Sequence, residues 1–311
     1  MLVANTAGPA PAAHARVPVI AAAGDIACDP RADAFSGGLA RFHCGQQATS
    51  NLILRGRYRA VLALGDLQYT NGRLWKFRRS YGPTWGRFKP KTLPVIGNHE
   101  YGTRHARGYF SYFNGRGDAY GRAGRRPQGW YSVDLGRWHV VALNSNCEAV
   151  GCEPGSPQIE WLVDDLRAHR NRCVLAAYHH PRFSSGKHEE DQDVRTIWRT
   201  LYRAGVDVVL NGHDHDYERF APQDTRGHLD RSHGIVEFVV GTGGHSLFPF
   251  PSHLKPTSRA HQASTFGILR MKLGRGRYRW AYKAAPAGRT LDAGSRRCNP
   301  VGELAKTPRH H

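Results

Sequence analysis

The chain has 311 residues, of which 40% are hydrophobic and 22% are charged, a composition that supports a packed core and excludes an intrinsically disordered chain. Its 44 Lys and Arg residues outnumber 25 Asp and Glu residues and give a formal charge of +19, which favours anionic partners such as phosphate esters, nucleic acid or acidic polymers without choosing among them. Every apolar run is interrupted before the roughly 20 residues that a membrane helix needs, so no membrane span is predicted.

The first segment, residues 1–16, is rich in alanine and proline and contains Ala13-His14-Ala15, which is similar to the cleavage site of a secretion signal. It lacks the basic start and the full apolar stretch of such a signal. We therefore interpret residues 1–16 as a signal remnant or a disordered N-terminus, and expect a secreted or extracytoplasmic protein.

Five short apolar runs follow, each ending at a polar residue. They are VPVIAAAG before Asp25, AVLALG before Asp66, LPVIG before Asn98, RCVLAAY before His179 and VDVVLNG before His213. Continuous apolar runs of this length are typical of strands buried on both faces in layered α/β proteins. Five other segments alternate more and predict further, partly antiparallel strands: YSVDLG, RWHVVALNS, GIVEFVVGT, FGILRMKL and RYRWAYK.

Three helices are predicted among these strands. One spans about 46–54, and two have apolar residues at helical spacing, namely Ile159, Leu162, Val163 and Leu166, then Val194, Ile197, Trp198 and Leu201. The Gly- and Arg-rich residues 114–129 predict a surface loop. With no linker inside the patterned region, we predict one domain over 17–285 and a polar tail over 286–311 that Cys298 could anchor.

The six cysteines form no CxxC pair, which argues against a structural zinc site built from cysteine. Cys147 and Cys152 flank the short turn CEAVGC and are the first candidates for a disulfide, with Cys28 and Cys44 next. Reduced, buried thiols are the alternative.

The polar residues at the ends of the five apolar runs form a candidate site. They are Asp25, Asp66, Asn98, His179 and His213, with His215 two residues further on. Ligands bind at this edge of the sheet in layered α/β folds. Mixed oxygen and imidazole ligands suit Zn, Fe or Mn better than calcium, and their number is enough for two ions. Each residue alone has an ordinary structural explanation, so the prediction depends on their joint occurrence.

The same segments resemble the calcineurin-like metallophosphoesterases and, within them, the purple acid phosphatases. The matching blocks are GDIA at 24–27, GDLQY at 65–69, GNHE at 97–100, YHHP at 178–181 and GHDHDYER at 212–219. Diesterase and nuclease branches carry a metal-binding His in the first block, whereas this chain has Ala27 there and Tyr69 in the second block. Ala27 also replaces the glycine that usually ends the first block, which puts the geometry of this loop in doubt.

The resemblance implies an α/β fold with two packed mixed sheets flanked by helices, in α/β/β/α layers. It also implies a metal-binding role for seven residues. Asp25, Tyr69 and His215 would bind Fe(III), Asn98, His179 and His213 would bind a divalent Zn, Mn or Fe, and Asp66 would bridge the two ions.

For activity, the resemblance implies hydrolysis of phosphomonoesters by a metal-bound hydroxide that attacks phosphorus in line, with inorganic phosphate as a product. Asn98, His99 and His188 would contact the substrate, and His99 or His188 would act as the catalytic acid. His180, Tyr217 and Glu218 are expected to support the ligands, and His245 is a weaker candidate for lining the cleft.

Two alternatives stay open at this point. A phosphodiesterase or nuclease could use the same scaffold, since the charge of +19 suits nucleic acid. A noncatalytic protein that binds phosphate or polyanions is the other alternative. The sequence alone predicts no oligomeric state.

Overall fold

The computed structural model describes residues 16–35, 43–170 and 172–306. The segment interpreted as a signal remnant therefore lies almost wholly outside the described residues. The strands in the described residues are β1 Val19–Ala23, β2 Ala60–Leu64, β3 Thr92–Val95, β4 Tyr131–Leu135, β5 Trp138–Ala142, β6 Cys173–Ala177, β7 Val208–Asn211, β8 Tyr217–Phe220, β9 Val236–Val240, β10 Ser258–Gln262, β11 Gly267–Gly274, β12 Arg277–Ala284 and β13 Arg289–Arg297.

The helices are mostly short. The α-helices are α1 Gln46–Leu54, α2 Leu74–Lys76, α3 Arg107–Phe113, α4 Cys147–Val150, α5 Pro157–Ala168 and α6 Arg195–Arg203. A π-helical turn spans Phe77–Tyr81, and 3₁₀ turns span Trp85–Lys91, His99–Gly102, Arg104–Ala106 and Glu303–Lys306. None of these helices is long and apolar enough to cross a lipid bilayer.

The strands form two mixed sheets. The first has the order β13-β12-β11-β1-β2-β3 and the second the order β10-β8-β9-β7-β6-β5-β4. Neighbouring strands are parallel from β1 to β3, and also across β5, β6, β7 and β9. The five apolar runs of the sequence form five of these parallel strands, as their buried pattern predicts.

The sheets pack face to face, and helices cover their outer faces. On β7, Val208 and Leu210 join the core between the sheets, whereas Val209 packs in a second cluster with Leu162 of α5 and Trp198 of α6. Helix α1 packs against β11 of the first sheet. The predicted α/β/β/α layering is confirmed, as are the three predicted helices, and residues 114–129 contain no helix or strand.

The C-terminal region differs from the prediction. Residues 289–297 form the edge strand β13, which pairs with β12, so the expected tail from 286 onward is wrong for this segment. The strand lacks an apolar pattern because its inward-facing Asp292 accepts hydrogen bonds from Tyr217 Oη (2.6 Å) and Arg219 Nε (2.8 Å). A polar residue that is satisfied in this way has no signature in the sequence.

Three disulfides stabilise the fold. Cys147–Cys152 and Cys28–Cys44 pair as predicted, and the second of these holds the loop that follows Ala27. Cys173–Cys298 joins the start of β6 to the end of β13 and closes a segment with a sequence separation of 125 residues. Long closures of this kind reduce the entropy of the unfolded chain, so this bond should contribute strongly to stability.

Candidate metal centre

The predicted ligands meet at the edge where the parallel strands of both sheets end. Asp25 follows β1, Asp66 follows β2 and His179 follows β6. The two sheets are joined at this edge, since Gly24 N–H donates to the carbonyl of Val240 at the end of β9 (2.9 Å). Carboxyl ends of parallel strands commonly form binding sites, because the loops that leave them converge.

Glycines allow the loops to come this close together. A Cβ atom on Gly65 would lie 2.3 Å from the ring of His179, and one on Gly97 would lie 2.3 Å from the backbone nitrogen and the carboxylate of Asp66. Gly65 also has a positive φ of 85°. Neither position could carry a side chain without moving a predicted ligand.

One group of donor atoms converges on the hydroxyl of Tyr69. Tyr69 Oη donates to Asp25 Oδ1 at 2.7 Å, lies 3.1 Å from Asp66 Oδ2 and lies 3.0 Å from His215 Nε2. His215 Nε2 is also 3.4 Å from Asp25 Oδ1. Phenol, imidazole and two carboxylates therefore face one another across distances that a single cation could bridge.

A second group surrounds His179. Its Nε2 lies 3.1 Å from Asn98 Oδ1 and 3.4 Å from Asp66 Oδ2, while its Nδ1 is held 2.8 Å from the carbonyl of Leu64. Nitrogen atoms of His180 and His213 lie within 4.8 Å of a ring nitrogen of His179. Asp66 Oδ2 belongs to both groups, so the donors form two overlapping sets with one shared carboxylate oxygen.

The charges in the centre are buried and not fully balanced. Asp25 and Asp66 are 0% and 2% exposed, and within the described ranges their ion-pair partners are histidines only. Burial lowers the pKa of His179, but the carboxylates of Asp66 and Asp25 and the hydrogen bond to Leu64 together outweigh burial and raise this pKa to about 10. Burial, Asp25 and Asp66 raise the pKa of Tyr69 well above its ordinary value. Buried carboxylates of this kind need cationic partners.

The backbone at three of the predicted ligands is strained. Asp25, Asp66 and His213 have φ values of 57°, 49° and 72°, in the left-handed region that residues other than glycine rarely adopt. The loops fix this conformation through hydrogen bonds: His213 N–H donates to Asp25 Oδ2 (2.9 Å) and His99 N–H donates to Asp66 Oδ1 (2.8 Å). Strain of this kind clusters at functional sites.

Sequence reasoning missed the residue that holds two of these loops together. The fully buried carboxylate of Glu100 accepts four backbone N–H groups at 2.9 to 3.2 Å, from Asp66, Leu67, Gln68 and Gly97. The block GNHE contained the only available signal, a carboxylate beside a ligand.

Two serines orient the histidines and were also missed. Ser246 Oγ lies 2.6 Å from His215 Nδ1, which leaves Nε2 of that ring facing Tyr69. Ser145 Oγ lies 2.8 Å from His180 Nδ1 and accepts the backbone N–H groups of His179 and His180. Partners of this kind fix the ring orientation and the tautomer of metal-binding histidines.

Three other histidines lie around the centre. His99, with a side chain 34% exposed, has its Nε2 3.7 Å from Asp66 Oδ2. The exposed His188 has its ring 4.7 Å from that of His213. The ring of His245 stacks on Tyr69 at 3.6 Å, and Phe248, which the sequence did not indicate, stacks on His215 at 4.5 Å.

The three residues expected to support the ligands lie at different distances from the metal centre. His180 lies in the centre, with its ring 4.5 Å from that of His213. Glu218 accepts the N–H of Ser185 (2.8 Å), in the segment that leads to His188. The expectation for Tyr217 is wrong, because its hydroxyl binds Asp292 and its ring stacks on Tyr282 at 4.1 Å, inside the protein core.

A cavity of about 460 Å³ opens beside the second group of donors. Asn98 and His180 form its wall on the side of the metal centre, and Tyr101 and Asn146 also line it. Its charged lining residues are all acidic: Glu148, Asp191 and Asp193. In a chain with a formal charge of +19, this local excess of negative charge is unexpected and bears on the choice of substrate.

The chain is similar in sequence to several known proteins. The sequence is 27% identical to Probable purple acid phosphatase 20 of Arabidopsis thaliana over 218 residues, which cover 64% of this chain and 48% of that protein. It is 25% identical to a nucleotide pyrophosphatase/phosphodiesterase of Hordeum vulgare over 246 residues, which cover 67% of this chain and 64% of that protein. The chain thus spans about half to two thirds of the length of these relatives.

The fold has a similar counterpart among solved structures. A purple acid phosphatase from seeds of yellow lupin (Lupinus luteus) superposes with a TM-score of 0.72 at 18% identity, covering 92% of this chain and 55% of that one. A family profile described as calcineurin-like phosphoesterase matches residues 19–217. The chain therefore belongs to the calcineurin-like phosphoesterase family, and its similarity to purple acid phosphatases agrees with the branch that the sequence blocks indicated.

Proposed function

We propose that this protein is a two-metal phosphatase that hydrolyses phosphomonoesters and releases inorganic phosphate. The observation that carries the proposal is the pair of donor groups that share Asp66 Oδ2, one around Tyr69 and one around His179. Two cations that share a ligand in this way would acidify a water molecule and offset the charge of a bound phosphate.

The donor chemistry indicates which ions would fit. Asp25, Tyr69, His215 and Asp66 would hold Fe(III), because a buried phenol with a raised pKa gives up its proton only to a strongly polarising ion. Asn98, His179, His213 and Asp66 would hold Zn, Mn or Fe(II), for which imidazole and oxygen ligands are suitable. The neutral amide of Asn98 leaves this half of the centre less negative toward an anionic substrate.

The accessible histidines would act on the substrate itself. His99 and His188 are more exposed than the predicted ligands His179 and His215, so their rings can meet a phosphate that enters from solvent. His99 Nδ1 lies 2.6 Å from the carbonyl of Thr70, which leaves Nε2 free to face the centre. We assign His99 and His188 to hydrogen bonds with phosphate oxygens and to protonation of the leaving oxygen.

The iron assignment predicts a colour that depends on Tyr69. The pure, metal-loaded protein should show a broad charge-transfer band in the visible spectrum, and Tyr69→Phe should lose it while the exposed Tyr120→Phe keeps it. Metal analysis of the same samples checks that iron is present. A colourless, iron-free and fully active protein would refute the iron assignment but leave the phosphatase proposal standing.

A phosphodiesterase or nuclease is the rival function, supported by the overall positive charge and by the barley relative's name. The cavity next to Asn98 argues against a nuclease, because Glu148, Asp191 and Asp193 would repel the flanking phosphates of a nucleic acid. We therefore favour monoesters whose organic group is neutral or cationic.

The proposal of a phosphomonoesterase predicts the outcome of a simple comparison. With an aryl phosphomonoester and the matching diester, kcat/KM should favour the monoester by at least about tenfold, equivalent to roughly 1.4 kcal/mol of transition-state binding. Steady-state kinetics on protein loaded with iron and zinc make the measurement. A tenfold preference for the diester would instead establish the rival, and no turnover of either ester would favour a noncatalytic binding protein.

We further propose that the protein acts outside the cytoplasm. The three disulfides in the described structure are the support for this, since such bonds persist in oxidising compartments.

A further inference from the structure

A second cavity, of about 400 Å³, is lined by none of the seven predicted metal ligands. Three segments build it: residues 182–190 after β6, residues 223–229 after β8, and residues 255–259 before and at the start of β10. Its wall contains apolar side chains of Phe183, Leu229 and Pro256, but its buried polar groups are the unusual feature.

Within the part of the chain that the structure describes, three buried nitrogen donors in this lining have no hydrogen-bond partner. Two are Nε and Nη1 of Arg182, a residue that is only 6% exposed, and the third is Nε2 of the fully buried Gln223. Arg182 Nη1 is 3.8 Å from Glu190 Oε1, which is too far for a hydrogen bond. The other amide atom of Gln223 is satisfied, since it accepts from Thr257 Oγ1 at 2.7 Å. All the missing partners are therefore acceptors.

Leaving such donors unsatisfied is costly. A buried donor without an acceptor loses the hydrogen bond that it makes with water in the unfolded chain, and the loss is larger when the group is charged. Native proteins contain few such groups, and each one needs an explanation. A ligand that brings several acceptor oxygens into the cavity would satisfy Arg182 and Gln223 together.

The charged residues that line the cavity indicate that the ligand is an anion. Arg226, Lys255 and Arg259 also line it, and Glu190, the only acidic residue among the described lining residues, pairs with Lys255 and also lies 3.8 Å from Arg182 Nη1, so the lining keeps an excess of positive charge. The guanidinium group of Arg182 is further fixed against the ring of Phe183, with 4.4 Å from Cζ to the ring centroid. A guanidinium group in a fixed position, with N–H groups that lack acceptors, suits a phosphate. The oxygens of a phosphate can accept hydrogen bonds from several directions at once.

We propose that this cavity is a second anion site that binds a phosphoryl group, either free inorganic phosphate or the terminal phosphate of a small organic molecule. It is separate from the metal centre, yet Arg182 and Glu190 lie on the same segment as His188. The site does not depend on catalysis at the metal centre, and it gives a specific location to part of the positive charge of the chain.

Counting bound phosphate tests the proposal. In equilibrium dialysis of the metal-loaded protein at about 0.15 M ionic strength, where exposed charges are largely screened, we expect two phosphates per chain. Arg182→Met should bind one. The exposed pair Arg226→Gln/Arg259→Gln should weaken the second site by at least about tenfold, which corresponds to 1.4 kcal/mol. The matched pair Arg275→Gln/Arg277→Gln, exposed in the β11–β12 hairpin, should leave both sites unchanged.

Two further measurements distinguish the possible sources of the phosphoryl group and separate the second anion site from the metal centre. Phenylphosphonate, which is not hydrolysed, should occupy the second site if an organic phosphate is its ligand, and binding of inorganic phosphate alone would identify the free ion. Asp66→Asn should keep the second site even when it loses the metal centre. One phosphate per chain in the unmodified protein that Asp66→Asn abolishes, or two in both the Arg182 and the Arg226/Arg259 variants, would overturn the proposal.

Discussion

Asp66→Asn should remove metal-dependent activity almost completely. Asp66 Oδ2 is the atom shared by the two donor groups, lying 3.1 Å from Tyr69 Oη and 3.4 Å from His179 Nε2. A neutral amide of the same size keeps the packing but removes the shared charge. We expect kcat/KM to fall by at least about a thousandfold, the upper range for loss of a single preorganised electrostatic group.

Metal content and kinetics on the same preparation check this expectation. The variant should carry fewer than two cations per chain, and a chelator should bring the unmodified protein to the same low activity. Asp164→Asn is the matched control, because its side chain is 79% exposed on α5 and it makes the same change of charge. A variant that retains two cations and normal turnover would contradict the assignment of Asp66 as the shared ligand.

Glu100→Gln should destabilise the protein strongly although Glu100 belongs to neither donor group. Each carboxylate oxygen accepts two backbone N–H groups: Oε1 those of Leu67 and Gln68, and Oε2 those of Asp66 and Gly97. An amide can accept on one side only and would place its NH₂ group against two buried N–H groups. With about 1–3 kcal/mol for each unsatisfied group, the expected loss is roughly 2–6 kcal/mol.

Urea denaturation of the metal-free variant measures this loss separately from metal binding. Glu160→Gln on the exposed side of α5 is the control and should change stability by less than about 1 kcal/mol. Metal affinity of Glu100→Gln should also fall by about 10- to 100-fold, since the two loops that carry three predicted ligands, Asp66, Tyr69 and Asn98, lose their anchor. Unchanged unfolding in urea would show that Glu100 is not what holds the two loops together.

The strands that carry the predicted ligands could be predicted because each is buried on both faces and ends at a polar residue. Strand β13 could not, because Asp292 takes an inward position and is satisfied by Tyr217 and Arg219 from another strand. A strand is predicted from its pattern of apolar residues, and in β13 the polar Asp292 takes a position where that pattern requires an apolar residue. The expectation for Tyr217 was wrong for the same reason, since its partner was hidden in a segment interpreted as a tail.

The residues that support the centre were equally hidden from the sequence. Glu100 accepts hydrogen bonds from backbone N–H groups. Because nearly every residue type has such a group, no sequence pattern can identify these partners. The cavity around Arg182 is assembled from three segments, and its unusual property is a missing acceptor. Such an absence is visible only after every neighbour has been placed in space.

The left-handed backbone at Asp25, Asp66 and His213 has a consequence for the lifetime of the folded protein. Conformations of this kind cost about 1–3 kcal/mol each, and the buried carboxylates add repulsion that cations would relieve. A ligand that binds only the folded chain shifts unfolding in proportion to its free concentration. The concentration of free metal would therefore determine how often the chain unfolds and becomes accessible to proteases. A low metal concentration would then shorten the lifetime of the protein as well as lower its activity.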